Sequence, residues 1–104
     1  MLRRIYRARA ELAVVHVRVP PRVHYLVWED LRVELARLVA DGARHMVLDF
    51  AEVVFADSFA ISVLIDTRER LLRAGGSLGL SNVGPRIVRT LRLLRLDAIF
   101  AIRG

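Results

Sequence analysis

Short apolar segments alternate with helical periods along most of this chain, and that alternation limits the folds open to it. Residues 46–50 and 77–80 are apolar segments of strand length. Each is followed by a stretch in which apolar side chains recur at three- and four-residue steps, as on one face of a helix. Strands that alternate with helices in this way form parallel sheets joined by right-handed crossovers. The sequence therefore predicts an α/β fold.

The N-terminal part of the chain adds two strands to this sheet. Residues 5–9 alternate apolar and basic side chains, and residues 12–19 are rich in β-branched valine, which suits a pleated surface. The two-residue turn between them predicts a hairpin. Pro20 and Pro21 end the second strand, because proline has no N–H to donate to a neighbouring strand. An antiparallel hairpin joined to parallel strands predicts a mixed sheet.

Three helical periods complete the pattern. The first covers residues 28–39 and stops at Gly42, since glycine readily adopts the left-handed conformation that ends helices. The second covers residues 57–76. The third begins at Pro85, which is tolerated in a first helical turn.

Two further segments connect the predicted helices and strands. Residues 52–55 link the third strand to the second helix, and their apolar side chains are predicted to be buried. Residues 96–100 lead into a last short strand. The predicted order is ββαβαβαβ, with a mixed sheet of about five strands in a single domain over residues 1–104.

Several kinds of site are excluded or not expected. The chain has no cysteine, which excludes disulfides and thiolate metal sites and favours a reducing, cytoplasmic compartment. The longest uncharged apolar run, residues 58–65, is far shorter than the roughly 20 residues that span a membrane. The three histidines lack metal-ligand spacing, and there is no nucleophile elbow. We therefore expect no metal, no cofactor, no enzymatic activity and no membrane insertion.

All seventeen basic residues are arginine, and the formal net charge is +6. Codon bias in a GC-rich genome is one explanation for the absence of lysine, and an anion-binding surface is the alternative. Arg86, Arg89, Arg92 and Arg95 recur every three residues and predict a basic stripe on the third helix. This stripe is either a solvated face or a site for an anionic partner. No aromatic residues are interleaved for base stacking, so direct nucleic-acid binding is not expected.

An ordered set of motifs in the second half of the chain resembles a known family. The motifs of this set are residues 46–50, 54–58, 73–80, 84–89 and 94–100. They form a strand, an aspartate-serine at a helix start, a glycine pair before the next strand, and a leucine-aspartate-apolar ending. This set resembles the STAS domains of bacterial anti-sigma factor antagonists.

The resemblance implies a non-enzymatic interaction switch. Such domains bind a serine-kinase anti-sigma factor, and phosphorylation of a serine at the helix start breaks the complex. The matching position here is Ser58. The residues expected to contact the partner are Asp57, Ser58, Phe59, Ala60, Ile61 and Arg22. A homodimer is an open alternative, and so is a constitutive scaffold or transporter-associated subunit without phosphorylation.

Three features depart from the family pattern. Phe59 and Ala60 stand where the family has a second serine and a glycine, and residues 20–23 replace an acidic loop with Pro-Pro-Arg-Val. Phe59 either packs inward or contacts a partner. Ser58 also has a purely structural alternative as helix N-cap, a role that Asp57 fills equally well.

Overall fold

Five strands and three helices alternate within residues 6–9, 14–20 and 25–103, which are the residues that this computed structural model describes. The strands are β1 (Tyr6–Arg9), β2 (Val14–Arg18), β3 (His45–Asp49), β4 (Ser77–Ser81) and β5 (Ala101–Ile102). The helices are α1 (Tyr25–Ala40), α2 (Ser58–Arg73) and α3 (Pro85–Leu93). The predicted α/β class is thereby confirmed.

The strands form one sheet in the order β1-β2-β3-β4-β5. β1 pairs antiparallel with β2, and every later pair is parallel. Because each parallel strand is joined to its neighbour by a helix, the three crossovers run in the same direction across the sheet. All carboxyl ends of the parallel strands therefore lie at one edge, where the helices begin.

One face of the sheet is buried, and the other is largely polar. The buried side chains of the parallel strands are Val15, Val17, Met46, Leu48, Leu78 and Leu80. On the opposite face His16 and His45 are exposed, and His45 Nδ1 lies 2.9 Å from Ser77 Oγ. Successive side chains of a strand point to opposite faces of the sheet, so buried and exposed residues alternate when one face packs on the core.

The predicted apolar period of α1 is confirmed by its packing. Trp28, Leu31, Leu35 and Leu38 are all buried. The Trp28 ring lies 6.4 Å from the ring of Phe50, at an interplanar angle of 44°. Phe50 directly follows β3, so α1 packs against the start of the loop that leads to α2.

A left-handed residue follows each helix and turns the chain back. These residues are Gly42, Gly75 and Arg95, with φ of 116°, 82° and 60°. The N–H of the next residue donates to a carbonyl in the last turn of the helix, at 2.7–3.0 Å. Gly42 thus ends α1 as predicted. None of the helices in the described part of the chain has the length and apolar character that a membrane crossing requires.

Candidate partner-binding site

The candidate phosphorylation site lies at the edge where the parallel strands end. Ser58 is the first residue of α2, and residues 50–57 connect it to the end of β3. β2 and β4 end at the same edge, because both strands run parallel to β3. In open α/β sheets this edge is where functional loops converge.

Asp57, and not Ser58, caps the helix. Asp57 has an extended backbone, and its Oδ1 accepts a hydrogen bond from the N–H of Ala60 at 3.0 Å. Its carbonyl accepts the first helical hydrogen bond, from Ile61, at 3.1 Å. The capping role proposed as an alternative for Ser58 is therefore wrong, and the Ser58 hydroxyl is not needed to hold the helix end.

Ser58 is exposed on the first turn of α2. Within the part of the chain that the structure describes, neither its hydroxyl nor the N–H groups of Ser58 and Phe59 have a hydrogen-bond partner. Free N–H groups and the helix dipole both favour negative charge at this end of a helix. A phosphate on Ser58 would therefore be accepted by the domain itself without unfolding it.

The other predicted contact residues have different surroundings. Phe59 is half-buried and packs against the core, which agrees with its inward alternative. Ala60 and Ile61 are buried. Because α2 turns both side chains toward the core, their contact with a partner stays a prediction that the exposed surface of the domain does not support. Arg22 lies outside the described residues.

Sequence reasoning missed the most exposed apolar side chains near Ser58. Val54 is 71% exposed and Phe55 is 59% exposed, so the prediction that residues 52–55 bury their apolar side chains is wrong for both. Val53 alone is buried, and its N–H donates to the carbonyl of Phe50 at 3.0 Å. Val53 holds this loop against the core, and the side chains of Val54 and Phe55 remain in solvent. A run of three apolar residues in a loop was the available signal.

A polar cluster ties the ends of three strands together beside this loop. Asp49 Oδ1 accepts from the N–H of Ala51 at 2.9 Å and from Nδ2 of Asn82 at 3.0 Å. Arg18 Nε lies 3.9 Å from Asp49 Oδ2, and Arg18 Nη1 lies 3.8 Å from Glu52 Oε2. The hydrogen bond from Asn82 is the main cause that lowers the pKa of Asp49, with Ala51 and Arg18 contributing.

The lowered pKa of Asp49 predicts acid sensitivity. A carboxyl with a lower pKa in the folded state stabilises the fold above its unfolded pKa of about 3.9. That stabilisation is lost as the pH falls through the folded pKa. Replacing Asn82 (φ 53°) with glycine keeps the left-handed backbone accessible and removes the amide donor. We expect Asn82→Gly to raise the pKa of Asp49, as followed by NMR titration of its carboxyl carbon. An unchanged pKa would contradict this role of Asn82.

One comparison with known proteins identifies the family. The family model described as STAS domain matches residues 6–104. A search of curated proteins found no match. A candidate anti-sigma factor antagonist from Thermotoga maritima is similar in structure, with a TM-score of 0.83 and 19% identity over 95% of this chain and 84% of that chain.

Two further structures are similar. An anti-sigma factor antagonist from Mycobacterium paratuberculosis has a TM-score of 0.76 and 27% identity over 88% of this chain and 78% of that chain. The Bacillus cell fate determinant SpoIIAA in its phosphorylated form has a TM-score of 0.72 and 17% identity over 88% of this chain and 84% of that chain.

Proposed function

Because the chain belongs to the STAS domain family, we propose that it is a non-enzymatic interaction switch of the anti-sigma factor antagonist type, turned off by phosphorylation of Ser58. One observation carries this proposal above the others. The exposed hydroxyl of Ser58 directly follows the Asp57 cap and has no hydrogen-bond partner among the described residues. The proposed partner is a serine-kinase anti-sigma factor, and the proposed place of action is the cytoplasm.

The apolar side chains next to Ser58 supply the proposed affinity. Val54 and Phe55 are exposed to solvent on the loop that leads to Ser58, only a few residues before it. Aromatic side chains that become fully buried are frequent anchors of protein interfaces. Covering Phe55 would contribute about 1–2 kcal/mol. A partner seated on this loop would also lie against the start of α2.

Phosphorylation would act on the partner and not on the fold. A phosphoserine adds roughly −1.5 to −2 charges at neutral pH. The free N–H groups of the first turn can donate hydrogen bonds to the phosphate. Together with the neighbouring Asp57 carboxylate, the phosphate makes this end of the helix strongly negative. An apolar or acidic partner surface that packs on Val54 and Phe55 would then have to desolvate or oppose that charge. Binding would be lost while the domain stays folded.

The test compares Ser58→Asp with a matched control at Ser62. Ser62 is also exposed, lies one turn further along α2, and its hydroxyl donates to the carbonyl of Phe59 at 2.7 Å. Tagged wild-type protein and both variants are recovered from the native cells after cross-linking. We expect a kinase-like partner with the wild type and with Ser62→Asp, and at least about tenfold less of it with Ser58→Asp.

Site mapping of the wild-type protein by mass spectrometry completes this test. The proposal expects one phosphate on Ser58 under some growth condition. Equal partner recovery with all three proteins, together with no phosphate on Ser58, would contradict it. That result would favour the second candidate, a constitutive scaffold. The half-buried Phe59, where the family has a serine, is the observation that favours this candidate.

A further inference from the structure

The outward face of α3 and its C-terminal turn form a surface that the proposed switch does not use. We call this the α3 surface. Its residues, all exposed, are Arg86, Arg89, Arg92, Leu93, Leu94 and Arg95. The sequence already singled out the arginines as a stripe. The structure adds two exposed leucines to the same surface.

The charge of the α3 surface is not balanced within the domain. Among the described residues, none of its four arginines forms an ion pair. By contrast, Arg32 pairs with Glu29, and Arg70 with Asp66, each on its own helix. The segment 85–103 contains a single acid, Asp97. Four cations therefore face solvent together and attract anions.

The leucines lie among these cations. Leu93 is 77% exposed and follows Arg86 and Arg89 at positions i, i+3 and i+7, which share one strip of a helix. Leu94, the next residue, is 53% exposed. Both leucines project at the end of the helix opposite to its first residue, Pro85. The α3 surface is therefore cationic along the helix and apolar at the C-terminal end of the helix.

An open groove beside α3 repeats this pairing of apolar and cationic groups. Val83, Pro85 and Val88 line it together with Arg89 and Arg92. Val83 is buried and Val88 is half-buried, so they form the floor of the groove. Such a groove is complementary to a molecule that carries negative charge and a hydrocarbon part.

From these features we propose that the α3 surface binds the anionic headgroup layer of a phospholipid membrane and holds the domain at its surface. Arginine matches the geometry of phosphate oxygens, and aliphatic side chains enter the boundary between headgroups and acyl chains. The exposed apolar residues of the surface are aliphatic, whereas stacking on nucleic-acid bases uses aromatic side chains. Leucine is also uncommon among the residues that dominate protein interfaces. An anionic membrane is therefore the partner that these observations favour.

The test uses the full chain and sedimentation with lipid vesicles. Vesicles of phosphatidylcholine alone are compared with vesicles of equal parts phosphatidylcholine and phosphatidylglycerol. We expect binding to the anionic vesicles only, and weaker binding as the ionic strength rises. Arg89→Gln with Arg92→Gln should weaken this binding about 25-fold, at roughly fivefold for each charge. Leu93→Ser should weaken it about fivefold.

Matched controls separate this surface from general charge effects. Arg32→Gln with Arg37→Gln removes the same charge from α1, and Val33→Ser replaces an exposed apolar residue there. Both controls should bind the vesicles within about twofold of the wild type, and thermal melting checks that every variant is folded. Ser58 is intact throughout and no protein partner is present, so the result is independent of the proposed switch.

Three outcomes would overturn the proposal. The first is the absence of binding to anionic vesicles at low ionic strength. The second is an equal loss in the α1 control and in the α3 variant. The third is duplex DNA binding as tight as vesicle binding, with Leu93→Ser leaving both unchanged, which would describe a general polyanion surface.

Discussion

Gly76→Ala is expected to cost about 4 kcal/mol or more, enough to unfold much of the protein. A Cβ at position 76 would lie 1.6 Å from the carbonyl oxygen of Arg44, which is backbone and cannot rotate away. Hydrogen bonds hold both sides of this contact: Gly76 N–H donates to the carbonyl of Leu71 at 2.7 Å, and Ser77 N–H donates to Arg44 at 2.8 Å. Urea unfolding followed by circular dichroism measures the loss.

Gly84→Ala is the control for this prediction. Gly84 precedes α3 with φ of −67°, and a Cβ there would meet no atom within 4 Å. We expect a change of about 1 kcal/mol or less, which reflects the lower preference for alanine before a helix. Equal stability losses at positions 76 and 84 would show that the approach to Arg44 does not explain the need for glycine.

Phe50→Ala is expected to destabilise the domain by about 3–5 kcal/mol. Phe50 is fully buried against Trp28. Its N–H donates to the carbonyl of Ser81 at 2.9 Å, and its carbonyl accepts from Val53 at 3.0 Å. Removal of the ring would leave a cavity between α1 and the sheet at the start of the loop that leads to Ser58. The midpoint of urea unfolding reports this loss.

Phe55→Ala provides the matched comparison, with the same substitution five residues later on the same loop. Because Phe55 is largely exposed, we expect this substitution to change the free energy of unfolding of the protein by no more than about 0.5 kcal/mol. If the proposed function is right, less of the partner should be recovered from cells with Phe55→Ala than with the wild-type protein. A stability loss as large as that of Phe50→Ala would mean that Phe55 is a core residue in solution, and Val54 and Phe55 would no longer qualify as a contact surface.

The α/β architecture was predictable because its signals are local. The spacing of Trp28, Leu31, Leu35 and Leu38 places four side chains on one face of a helix whatever the rest of the chain does. Glycine at position 42 ends that helix through its own backbone freedom. The same kind of local signal places a helix start at Asp57 and Ser58. The resemblance to the family rested on motifs of this type in a fixed order, and the family model matches residues 6–104.

The choice between neighbouring residues was not predictable in this way. Asp57 and Ser58 are both good N-caps, and only the backbone conformation shows that Asp57 accepts the hydrogen bond from Ala60. The hydroxyl of Ser58 is available because its neighbour holds the cap. For the same reason, the resemblance could indicate Ser58 but could not show that it has no structural task.

By itself, the sequence determined the type and order of the helices and strands, since periodicity and helix-end residues act within a few positions. Only the tertiary structure decided which side chains are presented at the candidate site. Val54 and Phe55 are exposed because Val53 alone is anchored, and Ala60 and Ile61 are hidden because α2 packs on the core. The arginines of α3 form no ion pair with any residue that the structure describes, and this too is a tertiary result. Whether a charge finds an acid depends on residues that are distant in the chain, and no local pattern encodes that distance.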